Sequence, residues 1–332
     1  MKRIISRFSI IMIIICFLSA CSNSQQIPQN DSVQKSEIKT EAKAEAKAGT
    51  AVEAKPELKA EKQPVKEYHF SKDLFSKVDG STATIPLSEG IAEYLLELKK
   101  PEVKKLVRHN TTHNAYVNLV EGNADIILVT EPSDEEFKLA KDKNIELDVI
   151  PVVKDAFVFL VNTKNPVDSL KLKEIQGIYQ GKIKKWSEVG GNNLEIIPYQ
   201  RPKNSGSQTS MENIVMKGLK LMDAPKELKP EAMEGLIEKV AGYDNSERAL
   251  GYSVYYYAHT MYSKNTIKLI GVDGIKPDKE TIMSGKYPLT SAYYAVLRKN
   301  EPANSPARQL LEWLLSDEGQ ILAEKCGYIR VK

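Results

Sequence analysis

Gln200-Arg201-Pro202-Lys203-Asn204-Ser205-Gly206-Ser207-Gln208-Thr209-Ser210 follows an apolar run at 194–199 and precedes Met211-Glu212-Asn213-Ile214-Val215-Met216-Lys217. The run reads as a strand, and the stretch after the loop reads as the first turns of a helix. A loop of hydroxyls and one glycine entering a helix N-terminus presents unpaired backbone N–H groups beside short side-chain donors. That is the chemistry of an anion seat. Arg201, four residues before Ser205, adds a planar fork of donors suited to two oxygens of one tetrahedral anion. A plain turn with an N-cap has the same local composition, so the rest of the chain decides between the two.

Working outward, Val78-Asp79-Gly80-Ser81-Thr82-Ala83-Thr84-Ile85-Pro86-Leu87 is a second hydroxyl-rich entry to a helix, with Ile91, Leu95 and Leu98 at helical spacing beyond it. Residues 103–107 read as a short strand, and His109-Asn110-Thr111-Thr112-His113-Asn114 then leads into a third such helix. Residues 124–130 are an apolar strand running into Glu131-Pro132-Ser133-Asp134, where Ser133 or Asp134 caps the next helix. Strand patterns at 145–153, 156–162, 249–257 and 266–272 alternate with helical ones at 167–179, 232–240 and 306–325. This alternation predicts α/β layers with open sheets, whose ligands sit beyond the carboxyl ends of strands, where the three loops fall.

The N-terminus supplies an address. Lys2, Arg3 and Arg7 precede an apolar run at 10–18 that ends in Leu18-Ser19-Ala20-Cys21. The run is short for a membrane span and is followed by small residues, which predicts a signal peptide over 1–20. The Leu-x-small-Cys ending resembles the lipobox of bacterial lipoproteins, which makes Cys21 the expected lipidation site and first mature residue. Residues 21–66, rich in Glu-Ala-Lys units and poor in large apolar side chains, read as the lipid anchor and a disordered or partly helical tether. Of three cysteines only Cys326 is left for the folded part, so no intramolecular disulfide is expected. Lys plus Arg number 47 against 44 Asp plus Glu, a net charge of +3 that carries no nucleic-acid footprint.

Asp79-Gly80-Ser81-Thr82, Asn165-Pro166-Val167, Gly181-Lys182-Ile183 with Trp186, the 201–209 loop, Gly285-Lys286-Tyr287-Pro288-Leu289, and Ser316-x-Glu318-Gly319-Gln320 ending in Gly327-Tyr328 stand in a fixed order. As an ordered set they resemble the phosphate-binding proteins of phosphate ABC importers, PstS-like members of the type II periplasmic-binding-protein superfamily. The resemblance implies a two-lobed α/β fold with two hinge crossovers: 67–155 plus 266–332 as lobe one and 156–265 as lobe two. It implies an anion in the cleft between the lobes, no covalent chemistry and no cofactor, and an ABC permease as partner. A monomer held to the cell membrane by the lipid on Cys21, outside the cytoplasm, is the corresponding expectation.

Carried over position by position, the resemblance implies that Thr82, Thr84, Thr112, Glu131, Arg201, Ser205, Gly206, Ser207 and Thr209 bind the ligand. Two departures stand out. Thr111-Thr112-His113-Asn114 lacks the family's glycines, and Glu131 replaces an Asp that accepts the proton of hydrogen phosphate. A cleft-facing Glu131 would admit an anion that can donate a hydrogen bond and repel sulfate, which cannot. The altered second loop keeps other readings open, namely another oxyanion, a small organic phosphate, or a tethered sensor without a transport role. His109 and His113 are spaced for a metal but lack a third ligand, so no metal is expected. No serine stands beside a base in a nucleophile motif, and an enzyme is not expected. Tyr252, Tyr255, Tyr256 and Tyr257 read as a strand packing into the core.

Overall fold

The computed structural model describes residues 68–242 and 247–331. The signal peptide, Cys21 and the tether lie outside the described residues.

Among the described residues, nine strands build the sheet system: β1 (Val78–Gly80), β2 (Ile126–Val129), β3 (Leu147–Asn162), β4 (Ser169–Leu170), β5 (Ile197–Pro198), β6 (Ala249–Val254), β7 (Ile267–Val272), β8 (Thr290–Arg298) and β9 (Ile329–Arg330). The principal order is β1-β2-β8-β3-β6-β5. β1 and β2 are parallel, and β8 is antiparallel to both β2 and β3. The two strand segments expected at 145–153 and 156–162 are one strand of 16 residues, irregular between Pro151 and Val153. Its first part pairs with β8 through Ala156, and its second part pairs with β6 from Phe157 and with β7 from Phe159. The two halves of the molecule therefore share one continuous strand, and the chain returns to the first half through Leu289, whose carbonyl accepts from the Phe157 N–H at 2.8 Å.

β7 bonds to Phe159–Asn162, the end of β3 that also pairs with β6. Two expectations from sequence change. Residues 103–107 lie mostly in a helix, Lys100–Leu106, because Pro101 sits in its first turn and the Glu102 carboxylate reaches back to the Lys99 N–H. The helix expected over 306–325 divides at Ser316, whose hydroxyl accepts from the Gly319 N–H and so caps a second helix. A Cβ at Gly319 would fall 2.3 Å from the Trp313 carbonyl oxygen, so the break is packed too tightly for a side chain.

Aromatic packing locks the second half. Phe157 and Phe159 on β3 meet Tyr252 on β6 and Tyr179 at ring separations of 5.2–6.5 Å, pairs that contribute about 0.5–1.5 kcal/mol each beyond their burial. Only Tyr252 of the tyrosine cluster lies within a strand; Tyr255, Tyr256 and Tyr257 follow the end of β6.

Asp155 sits just before the crossover of β3, fully buried, with its Oδ1 accepting from the N–H groups of Ala156 (2.8 Å) and Tyr256 (3.0 Å). Burial pushes its carboxyl up to about 6, against the lowering effect of these hydrogen bonds. The folded state thus holds this proton at a pH where the unfolded chain, near 3.8, has released it. Its contribution to stability is fully present below the unfolded value and is lost as pH rises toward about 6. Denaturant unfolding across that window should show stability falling with pH, and Asp155→Asn, which keeps an oxygen acceptor, should flatten the fall.

Candidate functional site

The carboxyl ends of four strands converge on one cavity of ≈ 460 Å³. Ser81, Thr82 and Ala83 follow β1, Thr130 follows β2, the loop from Arg201 to Ser207 follows β5, and Val254 and Tyr257 stand at the end of β6. This is where an open α/β sheet receives its ligand. Thr111 and Thr112 join them from the first turn of the helix Thr111–Val120, and Gly206 and Ser207 from the helix Gly206–Ser210.

The second loop is held by a buried carboxylate that sequence reading did not single out. Asp79 accepts from the Gly80 N–H at 2.7 Å, from Asn110 through its N–H at 2.9 Å and its side-chain amide at 2.8 Å, and from the Asn118 amide at 2.7 Å. Held in this way, Thr111 takes a φ of 69°, a conformation that β-branched residues rarely adopt. The glycines missing from this loop are thus replaced by a strained threonine at the cavity wall, the kind of strain that clusters at ligand sites.

Arg201 is 8% exposed. Its Nε donates to the Pro230 carbonyl at 2.9 Å and its Nη2 to the Glu231 carbonyl at 2.7 Å, while Nη1 lies 3.4 Å from the Ser207 hydroxyl. Its backbone N–H donates to the Tyr252 hydroxyl at 2.8 Å. Burial lowers the guanidinium from its ordinary value, yet an arginine remains a cation at neutral pH. One edge is thus pinned by carbonyls, and Nη1 is aimed along the cavity beside Ser207.

Of the residues expected to bind, Thr82, Thr112, Arg201, Ser205, Gly206 and Ser207 line the cavity. Thr84, Glu131 and Thr209 do not. Thr84 is buried with its hydroxyl donating to the Leu128 carbonyl at 2.7 Å, so it ties β2 to the helix entry. Glu131 turns toward the Asn213 side chain, and burial raises its carboxyl above the ordinary range. Selectivity through Glu131 therefore has no support in this geometry. Its neighbour Thr130 occupies the cavity wall instead: 6% exposed, with a hydroxyl that has no hydrogen-bond partner. Thr209 is buried and also unpartnered, away from the cavity lining. Ser205 donates its hydroxyl to the Pro202 carbonyl at 2.9 Å, which shapes the loop.

The histidines take separate partners. His109 Nε2 lies 2.6 Å from the Ser88 hydroxyl, and burial pulls its imidazole down to about 4. His113 Nδ1 lies 3.1 Å from the buried Glu136 carboxylate. Among the described residues no group of three metal-ligating side chains comes together.

A clasp closes the rim. Glu135, on the helix Asp134–Asp142, accepts from the Lys203 ammonium and the Asn204 amide, so both its oxygens hold the loop that carries Arg201. Asn204 sits at a φ of 66°, a left-handed turn position that asparagine tolerates. Freed by Glu135→Ala, the loop should release ligand about two- to fivefold faster in stopped-flow measurements, an effect that added salt reproduces in the unaltered chain.

The sequence model of the PBP superfamily domain matches residues 31–318. The chain belongs to the PBP superfamily. It is 25% identical over 259 residues to the phosphate-binding protein PstS of Bacillus subtilis, covering 76% of this chain and 80% of that protein. The PstS of Staphylococcus saprophyticus is 26% identical over 266 residues, covering 76% of this chain and 79% of that protein. Among solved structures, a Clostridium perfringens protein described as a phosphate ABC transporter substrate-binding protein, with phosphate bound, superposes with a TM-score of 0.60 at 25% identity, over 77% of this chain and 98% of that one. An ABC-type phosphate transport receptor from Vibrio cholerae shares the fold, with a TM-score of 0.58 at 21% identity over 76% of this chain and 98% of that one. This superfamily chain thus has the type II binding-protein fold that its motifs implied, in a family of solute-binding transport proteins. Among the described residues no helix is long and apolar enough to cross a membrane.

Proposed function

We propose that this protein is the solute receptor of an ABC importer, capturing inorganic phosphate or a close relative of it in the cavity and handing it to a membrane permease. The carrying observation is the buried Arg201, held between carbonyls at the meeting point of four strand ends and two helix starts. Around it, Thr82, Thr112, Thr130 and Ser207 carry hydroxyls, and Gly206 and Ser207 backbone amides, that can donate to an oxyanion. Similarity to the PstS proteins of Bacillus and Staphylococcus supports phosphate within that class.

The remaining parts of the reading follow from the chain's organisation. Lipid on Cys21 anchors the protein outside the cytoplasm, residues 21–66 act as the tether, and the monomer closes around its ligand about β3 and the segment between β7 and β8. Residues 67–156 with 290–332 form one lobe and 157–272 the other, the segment between them being the second crossover.

Isothermal titration with phosphate, sulfate, molybdate and tungstate tests the reading. Phosphate is expected to bind, with an affinity that Thr130→Val weakens because the methyl can neither donate nor accept. Silence toward all four anions would overturn the oxyanion assignment. Metabolic labelling with a palmitate analogue, in cells carrying Cys21→Ser, tests the anchor: label that persists without Cys21 would refute it.

A further inference from the structure

We infer that Tyr252 and Gln208 are positioning residues of the anion site, holding Arg201 in its binding geometry before any ligand arrives. The inference rests on the oxyanion reading above and deepens it. The backbone explains why such a device is needed. β5 pairs with β6 at every second residue, the Ile197 N–H donating to the Arg248 carbonyl and the Tyr199 N–H to that of Leu250, each at 2.9 Å. The next step of this ladder would bring the Arg201 N–H to the Tyr252 carbonyl. Instead it donates to the Tyr252 hydroxyl at 2.8 Å. The phenol thus extends the sheet by a side chain's length, and the chain swings away from β6 to the cavity wall with this N–H still paired.

That hydroxyl is itself fixed. Tyr252 is fully buried, its ring packed against Phe157, Phe159 and Tyr179 at centroid separations of 5.2, 6.5 and 5.8 Å. It donates its proton to Gln208 Oε1, which also accepts from the Arg201 N–H at 3.2 Å. Gln208 is 4% exposed, and its Nε2 donates to Glu212 Oε1 at 2.9 Å. An ionised carboxylate can only accept, so the amide nitrogen must face Glu212 and the amide oxygen must face Arg201.

Arg201 is therefore held at two points: its backbone by Tyr252 and Gln208, and one edge of its guanidinium by the Pro230 and Glu231 carbonyls. Gln208 directly follows Gly206 and Ser207, which line the cavity, so the same amide sets the distance between the cation and that segment. A long side chain fixed beforehand loses little rotamer freedom on binding, and affinity is higher for it. Neither Tyr252 nor Gln208 lines the cavity, so each acts on the ligand through Arg201.

Titration of the full chain with inorganic phosphate tests the assignment. Tyr252→Phe keeps the ring and removes the hydroxyl, and Gln208→Met keeps the length of the side chain and removes its acceptor. Each should weaken phosphate binding about fivefold, the scale of one hydrogen bond. Were one variant to unfold, the other carries the same expectation. NMR of the ligand-free chain reads the arginine itself: the Nε–H resonance of Arg201, identified by its loss in Arg201→Lys, should exchange with solvent about tenfold faster in either variant. Weaker binding with an unmoved Arg201 resonance would make the role merely structural and overturn the inference. So would unchanged affinity in the variants, with the fold intact by circular dichroism; the oxyanion reading would stand. Were the unaltered chain to bind neither phosphate nor the other anions of the panel above, that reading would fall, and the inference with it.

Discussion

Arg201→Ala is expected to remove most oxyanion binding, with a loss of affinity of about thirtyfold or more by titration. The guanidinium is the sole cationic group of the cavity lining whose side chain is buried, since the lining's other cation, Lys203, is exposed and paired with Glu135. Removing one partner of a buried, charge-assisted contact costs about 2–5 kcal/mol of binding, a factor of roughly 30 to several thousand. The substitution also leaves the Pro230 and Glu231 carbonyls without their donor, so some loss of thermal stability is expected alongside. Arg201→Lys separates charge from geometry. An ammonium can replace the charge but cannot reach two carbonyls and an anion with a planar fork, so most of the affinity should still be lost. Full affinity in Arg201→Ala, with the fold intact by circular dichroism, would move the site elsewhere.

Gly206→Ala is the second large effect. The added methyl would stand 2.5 Å from the Thr130 hydroxyl oxygen and 2.6 Å from that of Thr112, contacts that carbon atoms do not make. Thr112 and Thr130 come from the first half of the molecule and Gly206 from the second, so the cheapest relief is to separate the halves. Such a wedge disfavours the closed arrangement without emptying any core. Affinity should therefore fall by about tenfold or more while the melting temperature changes little, because a ligand that binds a rarer state loses affinity in proportion to its rarity. Small-angle scattering should show a larger radius for the variant in the presence of saturating phosphate. An unchanged radius together with unchanged affinity would contradict the packing at Gly206.

The parts of the site that could be read from residues were those made by local order. Ser205-Gly206-Ser207 after an apolar run, and Gly80-Ser81-Thr82 before a helical pattern, announce loop-to-helix junctions whatever surrounds them. Thr130 and Glu131 show the limit of such reading. Adjacent residues leaving a strand point to opposite sides, and which of the two meets the ligand depends on the direction of the strand end, a tertiary fact. The acidic residue was the chemical favourite, yet it turned toward Asn213 and the hydroxyl took the wall. Glu231, Met233 and Glu234, which also line the cavity, carried no signal at all, because such residues ahead of a helix are common and only folding brings the Glu231 backbone carbonyl to Arg201. The helix at Lys100–Leu106 was misread for a related reason: Val103 and Val107 favour strands, but Val103 is the buried residue of a short helix that ends just before the extended Val107. Nothing in the local pattern of β7 tells which end of β3 it joins, because pairing is a tertiary fact.

β3 threads both halves, and that has a consequence for how the molecule can be made. A protein whose two halves were separate beads could be cut at the joint and each piece would refold. Here residues 147–156 and 157–162 are one unbroken ribbon, and severing it leaves β8 without its neighbour on one side and β6 and β7 without theirs on the other. Neither fragment should attain a cooperative melting transition by itself, and mixing the two should restore one only if the cut ends can pair again.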